Sequence, residues 1–234
     1  ALLDGGPAQA QYALTVIADS RNLPVGSYLA EASINAYGQV AFTAISFGNG
    51  APTSHLYRTQ GTGYEWLMSS PRPDGNGTGY TLTAFGNPNL LADGRIGFSG
   101  NANQSPQAYL WDNGSIGRLL PQMSNGQWLE ANLTGELSDN QRFLVGGRLF
   151  QAGDLHPLWE VSAANGRYDG TLSHDGRQVA LLRWNFSLGL HDGLYARNPS
   201  AQGLTALDAS FADAQLAVNN QGLVALHKGA AIPW

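Results

Sequence analysis

A turn followed by an alternating strand recurs five times along this chain, and no other feature constrains its fold as much. The unit reads Asn35-Ala36-Tyr37-Gly38-Gln39-Val40-Ala41-Phe42, then Ala92-Asp93-Gly94-Arg95-Ile96-Gly97-Phe98, then Asp139-Asn140-Gln141-Arg142-Phe143-Leu144-Val145. His174-Asp175-Gly176-Arg177-Gln178-Val179-Ala180-Leu181, one residue longer, and Asn219-Asn220-Gln221-Gly222-Leu223-Val224-Ala225-Leu226 complete the set. With Gly38, Gly94, Gln141, Gly176 and Gly222 as anchors, the intervals are 56, 47, 35 and 46 residues, and wrapping past residue 234 to Gly38 gives 50. Self-similarity at this period marks an architecture of stacked units, each too small to bury its own apolar face.

Two further markers run in phase with the turns. A large aromatic follows each anchor, at Tyr57, Trp111, Trp159, Tyr195 and Trp234, and another precedes each, at Tyr28, Tyr80, Trp128, Tyr168 and Phe211. Apolar residues alternate over four to six positions between clusters of Asn, Asp, Gly and Pro, the pattern of short strands. In the second unit the expected strands are Arg95–Ser99, Gln107–Trp111, Gly117–Leu120 and Trp128–Leu133, joined by hairpin chemistry at Asp93-Gly94 and Asp112-Asn113-Gly114. Thirty glycines in 234 residues and only 12% charged residues exclude an all-helical chain.

The reading is an all-β, five-bladed β-propeller of about 46-residue repeats, formed by residues 1–234 as a single domain. The alternative is a β-sandwich. The Val-Ala-Phe type of strand is taken as the innermost of each blade, its small central residue suiting convergence on an axis. The fifth unit lacks outer strands and the chain opens with a lone strand at Tyr12–Ile17, so one blade is expected to be stitched from both termini, closing the ring. Only nine residues separate Trp159 from Tyr168, so the third blade should have lost or shortened a strand.

The units Asn35–Phe42 and Gln107–Gly114 resemble bacterial extracellular repeats named after a His-Ala-Phe tripeptide, which pair an Asn-x-x-Gly-Gln-Val strand with an aromatic-Leu-Trp strand. Ser54-His55-Leu56 and Gln107-Ala108-Tyr109 stand where the tripeptide would be. The resemblance touches all five units at a few positions each. It implies a secreted or periplasmic bacterial propeller and supplies no activity and no catalytic residues.

Function has fewer markers. An excess of 17 acidic over 12 basic residues argues against nucleic acid as a partner, and the longest apolar runs are far short of the roughly 20 residues of a membrane span, so no membrane insertion is expected. Phosphate loops, His-Glu-x-x-His and Gly-x-Ser-x-Gly are missing, there is no cysteine, and none of the five histidines is paired at i, i+4. No cofactor, no metal and no catalytic residue is assigned. The leading expectation is an exported, non-enzymatic binding module for a carbohydrate or an extracellular protein. Its candidate ligand-binding residues are Trp111, Asp112, Asn113, Tyr57, Trp159, Tyr195 and Trp234, as stacking rings and adjacent hydrogen-bonding groups; packing between blades is the competing role of the rings. A second possibility is a glycoside hydrolase or lyase using Asp93, Asp139 or Asp175 at the channel mouth, where a raised-pKa acid would need an ionised partner. The competing explanation is that a repeated Asp serves a repeated turn. A third is a structural scaffold for a protein partner.

Overall fold

The computed structural model describes residues 16, 18–24, 26–48, 51–75, 79–102, 105–120, 137–145, 147–161, 166–197, 205–208 and 214–228. These form an all-β molecule with no α-helix among the described residues. Five antiparallel sheets follow one another along the chain. After a 3-10 turn at Ser20–Asn22, the first holds β1 (Ser27–Ile34), β2 (Val40–Ser46), β3 (Thr53–Gln60) and β4 (Gly63–Ser69). The second holds β5 (Arg72–Pro73), β6 (Thr81–Leu90), β7 (Ile96–Ala102), β8 (Ser105–Asp112) and β9 (Ser115–Arg118). The third holds β10 (Arg142–Val145), β11 (Arg148–Gln151) and a two-residue β12 (Trp159–Glu160). The fourth holds β13 (Gly166–Leu172), β14 (Val179–Asn185), β15 (Leu190–Arg197) and β16 (Thr205–Asp208), and the fifth holds β17 (Ala214–Val218) and β18 (Val224–Lys228). In every sheet, strands adjacent in sequence are adjacent in space, as hairpin chemistry dictates.

The recurring turn is one physical device used five times. Its first residue, at Asn35, Leu91, Ser138, Ser173 and Asn219, accepts a backbone hydrogen bond from the residue three further on, at 2.8–3.1 Å. That fourth residue has positive φ in every copy: 76° at Gly38, 87° at Gly94, 62° at Gln141, 67° at Gly176 and 80° at Gly222. Only this left-handed residue lets the chain re-enter the ladder, so glycine holds four of the five positions. Polar side chains brace the turn, with the Asn35 Oδ1 accepting from the Tyr37 and Gln39 amides, Asp93 from Arg95, Asp175 from Arg177, and Asn219 from Gln221 and Leu223.

In four of the five sheets the strand after the turn pairs with a strand that precedes it, β2 with β1, β7 with β6, β14 with β13 and β18 with β17, and so is not the first strand that an innermost position would require, whereas β10 opens the third sheet. The small middle residue therefore has another cause. In β7, Ile96 and Phe98 face the first sheet, in a core with Ala41, Leu56 and Met68. Gly97 faces the other way, where a Cβ would come within 2.6 Å of the Leu137 side chain on the approach to the third sheet.

The core repeats accordingly. The second and third sheets each present a stacked cross-strand ring pair to the sheet before: Phe98 with Tyr109 at 5.4 Å between centroids, Phe143 with Phe150 at 5.8 Å. Phe143 and Phe150 pack on Leu91, Ala108, Leu119 and Leu120 of the second sheet. Leu144 and Leu149, one residue out of phase, meet Tyr168, Val179 and Leu181 of the fourth. In the first sheet the pair is Phe42 with Tyr57 at 5.0 Å, covered by Leu23. The aromatic markers thus do not form one ladder: Tyr57 corresponds to Tyr109 and Phe150, and Trp111 and Trp159 lie elsewhere in their sheets. The expected strand at Trp128–Leu133 and the terminal strands that would close the ring lie outside the described residues.

Phe98 and Tyr109 have no exposed surface, so Phe98→Ala should lower the free energy of unfolding by about 3–5 kcal/mol. Tyr37→Ala, at a site 74% exposed, should change it by less than about 0.5 kcal/mol. Urea unfolding followed by tryptophan fluorescence measures both.

Candidate functional site: the turn end of the sheets

The five turns are stitched side by side in chain order. Asn35 Nδ2 donates to the Leu91 carbonyl at 3.1 Å, and the Ala92 amide donates to Asp139 Oδ1 at 2.7 Å. The Asp139 amide donates to the His174 carbonyl at 2.8 Å, Asn140 Nδ2 to the Asp175 carbonyl at 2.9 Å, and the Asp175 amide to Asn220 Oδ1 at 3.1 Å. First sheet is thereby joined to second, second to third, third to fourth and fourth to fifth, all at one end of the molecule.

This arrangement engages the three carboxylates singled out in the sequence. Asp139 receives the Ala92 amide. Asp175 takes the Ser173 hydroxyl at 2.6 Å and the Arg177 amide at 3.1 Å. Burial alone would raise the Asp93 pKa, but its hydrogen bonds and ion pair with Arg95, 2.6 Å away, prevail and hold the carboxyl below the usual range. Asp93 is an ionised partner by this environment, the opposite of a proton donor.

Between the first and second turns opens a cleft of about 790 Å³. The β3–β4 hairpin supplies Thr59, Gln60 and Thr62, the first turn Tyr37 and Gln39, and the second turn Asp93 and Gly94. Arg58 also lines it, fixed by three partners: Nε and Nη2 donate to Glu65 Oε1 at 3.0 and 2.6 Å, Nη1 donates to the Gly94 carbonyl at 2.8 Å, and the guanidinium lies 5.1 Å from the Trp111 ring centroid. Arg58 is thus matched by Glu65 within the cleft, and Asp93 by Arg95 beside it, leaving amide, hydroxyl and aromatic surface for a ligand. One sheet further on, the β8–β9 hairpin and the third turn frame a second cleft of about 420 Å³, lined by Asp112, Ser115, Arg118 and Gln141.

The other residues expected from sequence distribute as follows. Tyr57 and Trp111 are buried at 4% and 5% exposure, in the cores of the first sheet and of the first–second interface. Asp112 and Asn113 are exposed at the tip of the β8–β9 hairpin, Asn113 with a φ of 47° and its amide donating to Asp112 at 3.0 Å. Trp159 is half-buried against Leu144 and Leu149. Tyr195 lies in β15 with its backbone opposite Leu181, its side chain outside the described residues, and Trp234 also lies outside them.

Tyr37 is not among the binding residues expected from sequence, although the sequence carries a signal for it. At the third position of the turn the other units carry Asp93, Asn140, Asp175 and Gln221, all polar. An aromatic in that position serves no turn function, and its ring is 74% exposed at the cleft rim.

No family model matches the sequence, and no curated protein matches it. Among solved structures the chain is similar to TolB from Acinetobacter baumannii, with a TM-score of 0.52 and 15% identity over 86% of this chain and 52% of that one. The fold is therefore of the propeller-like, TolB type, and the chain spans about half the length of that protein. A structure from a study of two prolyl endopeptidases also matches, at a TM-score of 0.46 and 15% identity, over 83% of this chain and 31% of that one.

Asp139→Asn keeps an acceptor for the Ala92 amide and should leave stability within about 0.5 kcal/mol of the wild type, whereas Asp139→Ala should cost about 1 kcal/mol. Thermal unfolding of the two variants checks this, and equal losses would remove the stitch from the account.

Proposed function

We propose that the chain is an exported five-bladed β-propeller, secreted or periplasmic and related to the His-Ala-Phe repeat proteins, that binds a neutral carbohydrate at its turn end without cleaving it. The observation that carries this reading is the exposed Tyr37 ring at the rim of a charge-matched polar cleft. A sugar offers flat C–H faces for an aromatic ring and hydroxyls for side-chain amides, and Gln39, Gln60, Thr59 and Thr62 supply such partners around Tyr37. The engagement of Asp93, Asp139 and Asp175 in turns and stitches favours binding over glycoside hydrolysis. The cleft at Asp112 and Ser115 gives a longer glycan a second point of contact. A ring closed through the two termini is part of the same proposal, and the stitches that run from the first turn to the fifth support it.

Binding of the folded chain to a broad glycan array should reveal at least one neutral glycan. Tyr37→Ala should weaken it tenfold or more with unfolding unchanged. A silent array would transfer the site to an extracellular protein ligand, and a glycan shortened on incubation would establish hydrolysis.

A further inference from the structure

At the other end of the first sheet, away from the turns, three strands bring two serines onto one histidine. His55, on β3, has its Nε2 2.8 Å from Ser46 Oγ at the end of β2 and its Nδ1 2.6 Å from Ser69 Oγ at the end of β4. The register explains the meeting: His55 pairs with Ala44 and with Ser69, and Ser46 lies two residues past Ala44 on the same face. Ser69 Oγ also accepts the Trp66 indole N–H at 2.9 Å, and that indole is 60% exposed. Each serine is half-buried rather than sealed.

We propose that Ser46, His55 and Ser69 form an acyl-transfer centre for carboxylic esters bearing a flat apolar group, with Ser46 as nucleophile, His55 as general base and Ser69 as a positioning residue. Nucleophile to base to orienting group is the arrangement that activates a serine. With its two lone pairs, Ser69 Oγ accepts from both the Trp66 N–H and the His55 Nδ1–H, which fixes the tautomer that leaves Nε2 free to accept the Ser46 proton. Burial lowers the His55 pKa, so the ring is neutral at neutral pH, as a base must be. Ser46 Oγ attacks the ester carbonyl carbon, its proton passes to Nε2, and the C–O bond to the alcohol breaks as that proton moves on to the leaving oxygen. Water then attacks the acyl-serine, giving its proton to Nε2 and forming the carboxylic acid as Ser46 recovers a proton. The exposed Trp66 face, tethered through Ser69, meets an aromatic or flat apolar substituent. This centre is independent of the carbohydrate reading, which concerns the opposite end of the sheets.

The test uses the whole chain with p-nitrophenyl butyrate and, separately, a fluorophosphonate probe mapped by peptide mass spectrometry. Expected are slow ester hydrolysis and one phosphonylated serine, Ser46. Ser46→Ala and His55→Ala should reduce both signals at least a hundredfold. Ser69→Ala should lower kcat by about tenfold and shift the pH–rate inflection, and Ser69→Thr should restore both, which a merely structural role would not do. Because labelling is read on the wild-type chain, it does not depend on any variant folding. Absence of a Ser46 adduct, or hydrolysis unchanged in a folded Ser46→Ala, overturns the proposal.

Discussion

The molecule rests on a cross-strand pair of rings sandwiched between neighbouring sheets. A sheet of three to five short strands cannot hold itself together in water by hydrogen bonds alone, because its faces still need burial. Phe98 stacked on Tyr109, and Phe143 stacked on Phe150, supply that burial to the sheet before them. The intervening small or aliphatic residues receive the sheet after them, and at Gly97 the approach is so close that no Cβ fits without displacing Leu137. Alternation along a strand, which in a one-sided sheet separates core from solvent, here separates one neighbour from the next.

Stacking sheets in this way brings their turns to a common end, and that placement creates the candidate binding surface. The hydrogen bonds from Asn35 through Asp139, Asn140 and Asp175 to Asn220 fix the turns against each other. A cleft framed by a hairpin of one sheet and a turn of the next then recurs at successive interfaces. The repeated parts hold the sheets together. The parts that could recognise something are departures from the repeat, such as Tyr37 in place of a polar turn residue and the Ser46, His55 and Ser69 grouping on the first sheet alone.

The same logic explains where reading from sequence succeeded and where it slipped. The five turns were legible because each needs a left-handed residue and a polar brace at fixed spacing, demands that act within a few residues. The aromatic markers were legible as present but not as aligned: Tyr57 and Trp111 look alike in sequence, while cross-strand register pairs Tyr57 with Phe42 and Tyr109 with Phe98, leaving Trp111 opposite Ile96 and beneath Arg58. Register is set by the partner strand, which no local pattern names.

By itself the sequence determined the strands, the turns and their fivefold recurrence, since alternation, glycine placement and Asx bracing are local physics. Only the tertiary structure decided which face of each strand meets which neighbour, that Asp93, Asp139 and Asp175 are held by turns and stitches, and that Tyr37 stands exposed over a cleft. Those outcomes depend on groups tens of residues apart arriving within 3 Å of each other, as the Ala92 amide and the Asp139 carboxylate do. Only the packing of one sheet on the next brings such groups together.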